Sequence, residues 1–305
     1  MKIDAAVCSN MGRVRKNNED NFYFDGLYMD EEQRNEASAY HQVNENSTQI
    51  YAVCDGMGGE EGGEDASIAA VRGLKQYARQ PNPDDENHLR EALQEISDGI
   101  DRRAQEKGFH SGTTIAMLVF HQNKLRAVHV GDSRVYGMAN HKLRRMTVDH
   151  SEVQRMFSMG LIREEDMDTH PRRHVILQYL GMPREDALVS PTVSERENFE
   201  GGMKYVICSD GLTDMVKDPE IAQILDAAKT PEEAAKQLTM AALRNGGRDN
   251  VTVICLFTEE SKEKGKKKTD DKKARLKKGL ALAGLVLSGM IALAAIAMFV
   301  IDYIL

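Results

Sequence analysis

The chain predicts an α+β fold followed by a C-terminal transmembrane helix, and three observations carry that expectation. Short runs rich in Val, Ile and Cys, bounded by Gly and Asp, recur along residues 50–257. Paired helical patterns interrupt these runs at separate places. One uncharged apolar stretch, residues 279–301, is far longer than a core strand requires.

Ile50–Asp55 (IYAVCD), Leu125–Asp132 (LRAVHVGD) and Tyr205–Asp210 (YVICSD) read as buried strands, each closed by an aspartate. Asp249 opens a fourth run, with 251–257 as the final strand. Ile68, Val71, Leu74 and Ala78 recur at helical steps, as do Leu89, Leu93, Ile96, Ile100 and Ala104, so two amphipathic helices follow one another across the turn-like PNPDDEN at 81–87. Strand runs at 113–120, 124–130, 133–138 and 142–146 have connections too short for crossover helices, which predicts an antiparallel meander. Residues 219–245 return to helix, with Pro231 suited to a first turn. Residues 30–48, polar and mixed, read as a surface loop, and 151–180 interrupts the strand pattern as a flap. Helix pairs at separate places favour α+β layering over a doubly wound parallel sheet.

Charge argues against a nucleic-acid binder. Residues 262–278 carry ten Lys or Arg against three acids, a local +7, so a net charge of −8 leaves residues 1–261 near −14 once Asp302 is counted. Such a body repels a phosphate backbone, and a phosphorylated substrate needs local cations. Cys8, Cys54, Cys208 and Cys255 lie in apolar runs without zinc-like spacing and read as buried, reduced thiols. The N-terminus lacks the apolar core of a secretory signal. Residues 279–301, at ~1.5 Å per residue, are long enough to cross a ~30 Å hydrocarbon layer. The basic side precedes them, which places 1–278 in the cytoplasm by the positive-inside rule and 262–278 against anionic lipid. The expected localisation is therefore the cell membrane, through a single-pass C-terminal anchor with a short 302–305 tail.

Aspartates where strands leave a core are where a rigid sheet holds out metal ligands. An aspartate is a common strand-ending residue by itself; four together, with glycine following Asp55 and Asp210, point further. A carboxylate set without His or Cys suits Mg²⁺ or Mn²⁺ better than zinc or copper. Two such ions ~4 Å apart lower the pKa of bound water and clamp the oxygens of an in-line phosphoryl displacement. Arg15, just ahead of Glu19 and Asp20, offers a planar bidentate grip on a phosphoryl group.

The order of motifs is then informative: Arg15-x-x-Asn18-Glu19-Asp20, Asp55-Gly56-Met57-Gly58-Gly59, Ser111-Gly112-Thr113-Thr114, Val130-Gly131-Asp132-Ser133-Arg134, Asp149-His150, Ser209-Asp210-Gly211 and Arg248-Asp249-Asn250-Val251-Thr252. Taken together over roughly residues 2–257, they resemble the metal-dependent type 2C Ser/Thr protein phosphatase (PPM) family. DGMGG, Met159-Gly160-Leu161-Ile162 and the HPRRHVILQYLG run from His170 are similar to its bacterial branch. The resemblance implies a four-layer α-β-β-α sandwich of two antiparallel sheets flanked by helices, over a catalytic domain of 1–258 with a basic linker at 259–278. It implies a dinuclear Mn²⁺ or Mg²⁺ centre held by Asp20, a bridging Asp55, the Gly56 carbonyl, Asp210 and Asp249. Glu19 would orient water, Arg15 would bind phosphate, and Asp132 with Asp210 would match a third, weaker ion. Gly112, Thr113, Thr114 and Ser133 read as structural.

Two positions depart from the family pattern. Met57 stands where eukaryotic members carry a histidine that can protonate the leaving group, and Glu60 stands where bacterial relatives often carry one, in the acidic run Glu60-Glu61-Gly62-Gly63-Glu64-Asp65. The general acid is thus open: a metal-bound water can take the role, with His150 and His170 as fallbacks whose structural reading is the stronger one. The expected activity is hydrolysis of phosphoserine and phosphothreonine in proteins, by a monomer that opposes a Ser/Thr protein kinase. A catalytically inert metal-binding scaffold is the alternative; nucleotide hydrolysis lacks a GxxxxGK[ST] loop.

Overall fold

The computed structural model describes residues 1–259 apart from 34, 36 and 59–61, so the expected linker beyond 259, the membrane span and the tail lie outside the described residues. Among the described residues no helix is long and apolar enough to cross a membrane. Met1–Glu259 forms one compact unit.

The strands β1 (Lys2–Asn10), β2 (Asp20–Phe24), β3 (Ser38–Asn44) and β4 (Thr48–Met57) lead into helices α1 (Gly62–Tyr77) and α2 (Glu86–Lys107). Next come β5 (Gly112–Thr113), β6 (Ile115–His121), β7 (Lys124–Val130), β8 (Arg134–Ala139) and β9 (Lys142–Arg145). The flap holds α3 (Glu152–Ser158) and α4 (Glu164–Met167), and two short strands follow, β10 (Thr192–Val193) and β11 (Glu197–Asn198). The chain then runs through β12 (Lys204–Cys208), α5 (Asp210–Thr213), α6 (Asp218–Ala227), α7 (Pro231–Arg244) and β13 (Val251–Glu259).

Two sheets result. One has the order β3-β1-β13-β12-β8-β9; the other runs β10-β7-β6-β4-β2, with β11 on β7 and β5 on β4. Every pairing between these strands is antiparallel. Antiparallel strands often alternate apolar and polar, yet these read as continuous apolar runs because both faces are covered. In β4, Tyr51 and Val53 enter the core between the sheets, with Ile207 and Leu256 of the opposite sheet. Ile50, Ala52 and Cys54 point the other way, against Val71 and Leu74 of α1 and Leu89 and Leu93 of α2. The first sheet is covered likewise on its outer face, where Val206 and Val253 meet Ile221, Leu225 and Leu238 of α6 and α7. Each fully buried Val, Leu or Ile among these contributes about 1.5–3 kcal/mol. This is the layered sandwich that the resemblance implied.

Local chemistry sets the helix ends. Asp85 accepts the Asn87 and His88 amide hydrogens at the start of α2, and Gly108 takes the left-handed conformation (φ 76°) that closes it. Thr230 caps α7 ahead of Pro231, so the expected helix over 219–245 is divided into two.

Two further expectations are corrected. The four runs from 113 to 146 are not one meander: β6 pairs with β7 in one sheet, while β8 and β9 pair in the other. Gly131 (φ 104°) turns the chain from sheet to sheet, and Asp132 sits on that crossing. Residues 30–48 are not all loop, because β3 forms an edge strand on β1. Its residues alternate between half-buried and exposed, as suits an edge with one face against the body, and Val43 is its single exposed large apolar side chain.

Candidate metal centre

The centre forms at one end of the sandwich, where segments from both sheets converge. Asp20 lies directly opposite Asp55 in the β2–β4 register. Two carboxylates in that relation repel, so the pair costs stability unless something positive joins it. Asp132 enters from the crossing after β7, Asp210 from the start of α5 and Asp249 from the turn before β13. A cleft of about 930 Å³ is lined by Arg15, Asp55, Gly56, Asp132, Asp210 and Asp249 among others, and Asp20 lies beneath it at 2% exposure.

The backbone around these carboxylates is tied down. The Ser209 hydroxyl donates to Asp20 Oδ2 at 2.7 Å. The Asp55 amide donates to Thr114 Oγ1 at 3.1 Å, and Thr113 Oγ1 donates to the Asp55 carbonyl at 2.9 Å, which gives both threonines the structural part expected of them. Glycine after Asp55 and Asp210 has a steric cause: a Cβ on Gly56 would stand 2.1 Å from the Gly63 carbonyl oxygen, and one on Gly211 would stand 1.9 Å from that of Asn250.

Arg15 Nη2 donates to Asp249 Oδ2 at 2.7 Å, and its Nη1 lies 3.9 Å from Glu19 Oε2. Asn250, which the sequence reading did not single out as a site residue, is the knot beneath them. Its Oδ1 accepts the Glu19 amide at 2.8 Å, and its Nδ2 donates to the Met11 and Asn17 carbonyls at 2.9 Å each.

The electrostatics are those of carboxylates assembled for a cation. Burial pushes the Asp20 carboxyl up to about 7, with Asp249 and Glu19 adding to the rise against the hydrogen bonds from Ser209 and Thr252. Asp132 is likewise pushed up to about 7, by burial and then by Asp149. Asp55 rises well above the ordinary range through burial and then the charge of Asp210, Asp210 does so through burial and then the charges of Asp132 and Asp214, and Glu19 rises through burial despite Arg15. Asp20 Oδ1 and Asp132 Oδ1 are buried with no hydrogen-bond partner. Orphaned carboxylate oxygens of this kind are costly in themselves, and hard divalent cations with oxygen ligands fit them.

Some residues found here were not legible as site residues. His174 of the flap, Asp210 and Asp214 bring one ligand atom each within 4.8 Å of one another. The four-residue spacing of Asp210 and Asp214 was a visible signal; His174 lies within the quoted HPRRHVILQYLG run, but nothing local marked it as a ligand. The fallback histidines stand elsewhere. His150 stacks on His129 at 4.5 Å, accepts from the Gly131 amide and meets Thr192 Oγ1, while His170 Nδ1 accepts the Arg172 amide. Met57 lines the cleft, and Glu60 lies outside the described residues. Burial pushes the Cys208 thiol up to about 12, and Cys8, Cys54, Cys208 and Cys255 are all free, consistent with inert thiols.

Comparison with known proteins agrees with this geometry. The family description "Protein phosphatase 2C" matches residues 30–245. The serine/threonine phosphatase stp of Listeria monocytogenes is 32% identical over 274 residues, covering 87% of this chain and 99% of that protein. The crystal structure of the serine/threonine phosphatase PstP/Ppp of Mycobacterium tuberculosis superposes with a TM-score of 0.70 at 32% identity, over 85% of this chain and 100% of that one. A catalytic domain of PstP in complex with two manganese ions gives 0.68 at 31% identity, with coverage of 85% and 100%. By motif order, fold and carboxylate geometry alike, the chain belongs to the protein phosphatase 2C family, in its bacterial branch.

Proposed function

We propose that this chain dephosphorylates phosphoserine and phosphothreonine proteins at the cytoplasmic face of a membrane, acting as a monomer and opposing a Ser/Thr protein kinase. It is a metal-dependent protein-serine/threonine phosphatase with two Mn²⁺ or Mg²⁺ ions. The observation that carries the assignment of residues is the convergence of Asp20, Asp55, Asp210 and Asp249 with two orphaned carboxylate oxygens in the centre. Asp20, Asp55, the Gly56 carbonyl, Asp210 and Asp249 are the residues that would hold the ions, with Asp132 beside Asp210 for a third. Bound there, the ions would lower the pKa of water and offset charge on the phosphoryl oxygens.

The protein's own part is positioning. Arg15 presents its fork toward the cleft while Asp249 fixes one nitrogen, so a phosphoryl group meets a guanidinium already oriented. Glu19, held by Asn250 through its amide, places a carboxylate beside that fork, where it can orient the attacking water and accept its proton. Burial raises its pKa above the ordinary carboxylate value, which makes it a stronger base.

Residues 279–301 supply the proposed membrane anchor, and 262–278 the contact with anionic lipid. Phosphate release from a phosphothreonine protein, with Mn²⁺ and with chelator, tests the chemistry. Turnover in Asp210→Asn equal to wild type would sink the assignment of that ligand. Fractionation of cells expressing the chain with and without 279–305 tests the tether: equal partition into the soluble fraction would end it.

A further inference from the structure

The cations around the cleft fall into two groups. Arg15 is paired with Asp249, Arg134 with Asp149 and Lys217 with Asp168. Arg173 of the flap and Arg248 line the same cleft and, among the described residues, have no carboxylate partner; Arg13, on the loop adjoining Arg248, has none either. In a body as acidic as this one, cations left unpaired at the mouth of an acidic centre need a reason.

Their placement supplies one. The Arg13 amide donates to the Gly247 carbonyl at 2.7 Å, locking the loop before Arg15 to the loop before Asp249. A Cβ on Gly247 would stand 3.1 Å from Arg13 Cγ, and one on Gly246 would stand 3.7 Å from Arg248 Cγ, so both arginine stems lie over this glycine turn. The turn takes φ values of 134° and 54°, which glycine adopts without strain. Two exposed guanidinium groups are thus carried on two loops braced against each other, Arg248 immediately beside Asp249, the residue that holds Arg15, and Arg13 two positions before Arg15. Residues flanking a phosphorylated side chain gripped by Arg15 would lie close to this turn, since Asp249 joins the two.

We propose that Arg248 and Arg13 form a subsite for an anionic group flanking the phosphorylated residue, either an acidic side chain or a second phosphate. The subsite deepens the phosphatase reading and rests on it. It acts as a specificity determinant: an acidic flank, which the body would otherwise repel, is accepted where these two cations stand.

The test uses the full 305-residue chain in detergent with Mn²⁺ and a set of phosphothreonine peptides that differ only in their flanks: alanine, glutamate, lysine, or a second phosphothreonine. Wild type should turn over the glutamate-flanked peptide with kcat/KM about threefold to fivefold above the alanine peptide, the range for exposed ion pairs, and the ratio should fall with added salt. A larger effect from the second phosphate than from glutamate would identify phosphate as the preferred anion; the reverse would identify carboxylate. The Arg13→Ala/Arg248→Ala double variant should bring the ratio to about one, and Arg248→Glu should favour the lysine peptide. Because the ratio is taken within each variant, a change in overall turnover cancels. Equal rates on all flanks in wild type, or an unchanged glutamate preference in Arg248→Glu, would overturn the subsite. Loss of metal-dependent turnover of p-nitrophenyl phosphate, which has no flanks, would instead overturn the phosphatase reading beneath it.

Discussion

Replacing Asp20 by asparagine should stabilise the metal-free protein while weakening its response to metal. Asp20 is buried at 2% exposure, and its carboxyl is lifted from 3.8 to about 7. Between those values the folded, metal-free protein keeps a proton that the unfolded chain has lost. Stability from this group is therefore greatest at low pH and is lost as pH rises through about 7. Above that, ionised Asp20 costs the fold roughly 4 kcal/mol relative to an unperturbed carboxyl. Asparagine keeps an oxygen to accept from Ser209 and turns an amide toward the remaining carboxylates. Allowing for relaxation among those neighbours, the gain at pH 8 in chelator should be about 2 kcal/mol, or ~4–8 °C in Tm for a domain of this size. Lowering the pH to 6 should shrink that gain by about 1 kcal/mol, because wild-type Asp20 takes up its proton. Saturating Mn²⁺ should reverse the order: wild type gains about 2.7 kcal/mol at a hundredfold excess over Kd, and the variant much less. Calorimetry in chelator and in Mn²⁺, at the two pH values, reads all of this. An Asp20→Asn protein less stable than wild type in chelator at pH 8, or equally stabilised by Mn²⁺, would refute the reasoning.

Further outcomes follow from other parts of the site. Arg15→Lys keeps the charge but loses the planar fork, so KM for a phosphopeptide should rise about tenfold or more in steady-state kinetics; an unchanged KM would remove Arg15 from phosphate binding. Gly211→Ala places a Cβ 1.9 Å from the Asn250 oxygen and should cost about 3 kcal/mol or more in denaturant titration, whereas Gly99→Ala, in open space on α2, should be neutral or stabilising. Burial and the adjacent His129 push His150 down from 6.5 to about 4, so the fold refuses a proton that the unfolded chain accepts. Stability is therefore intact above 6.5 and is lost as pH falls toward 4, by about 1–2 kcal/mol after discounting for partial exposure. The stability advantage of wild type over His150→Asn should shrink across that window, and a constant difference would exclude the charge effect.

The legible part of the site was the part whose cause is local. Asp55-Gly56 and Asp210-Gly211 announce themselves because a backbone oxygen stands where any Cβ would go, a constraint written into two adjacent residues. Arg15, Glu19 and Asp249 were equally visible, since the segments that bear them carry motifs. Asn250 was quoted within its motif, yet its three hydrogen bonds to residues more than two hundred positions away have no local signature.

The sequence by itself determined which strand runs must be buried, where the amphipathic pair α1 and α2 would lie, and which oxygen ligands could serve a hard cation, because periodicity and side-chain chemistry act over a few residues. Only the tertiary structure decided that Asp20 faces Asp55 in register, that Gly131 carries the chain between sheets instead of continuing a meander, that a polar stretch becomes the edge strand β3, and that His174 of the flap stands beside Asp210. Each of these joins residues far apart in the chain. Such contacts are selected by the free energy of closing the two sheets over one shared core, a quantity that no local window of sequence contains.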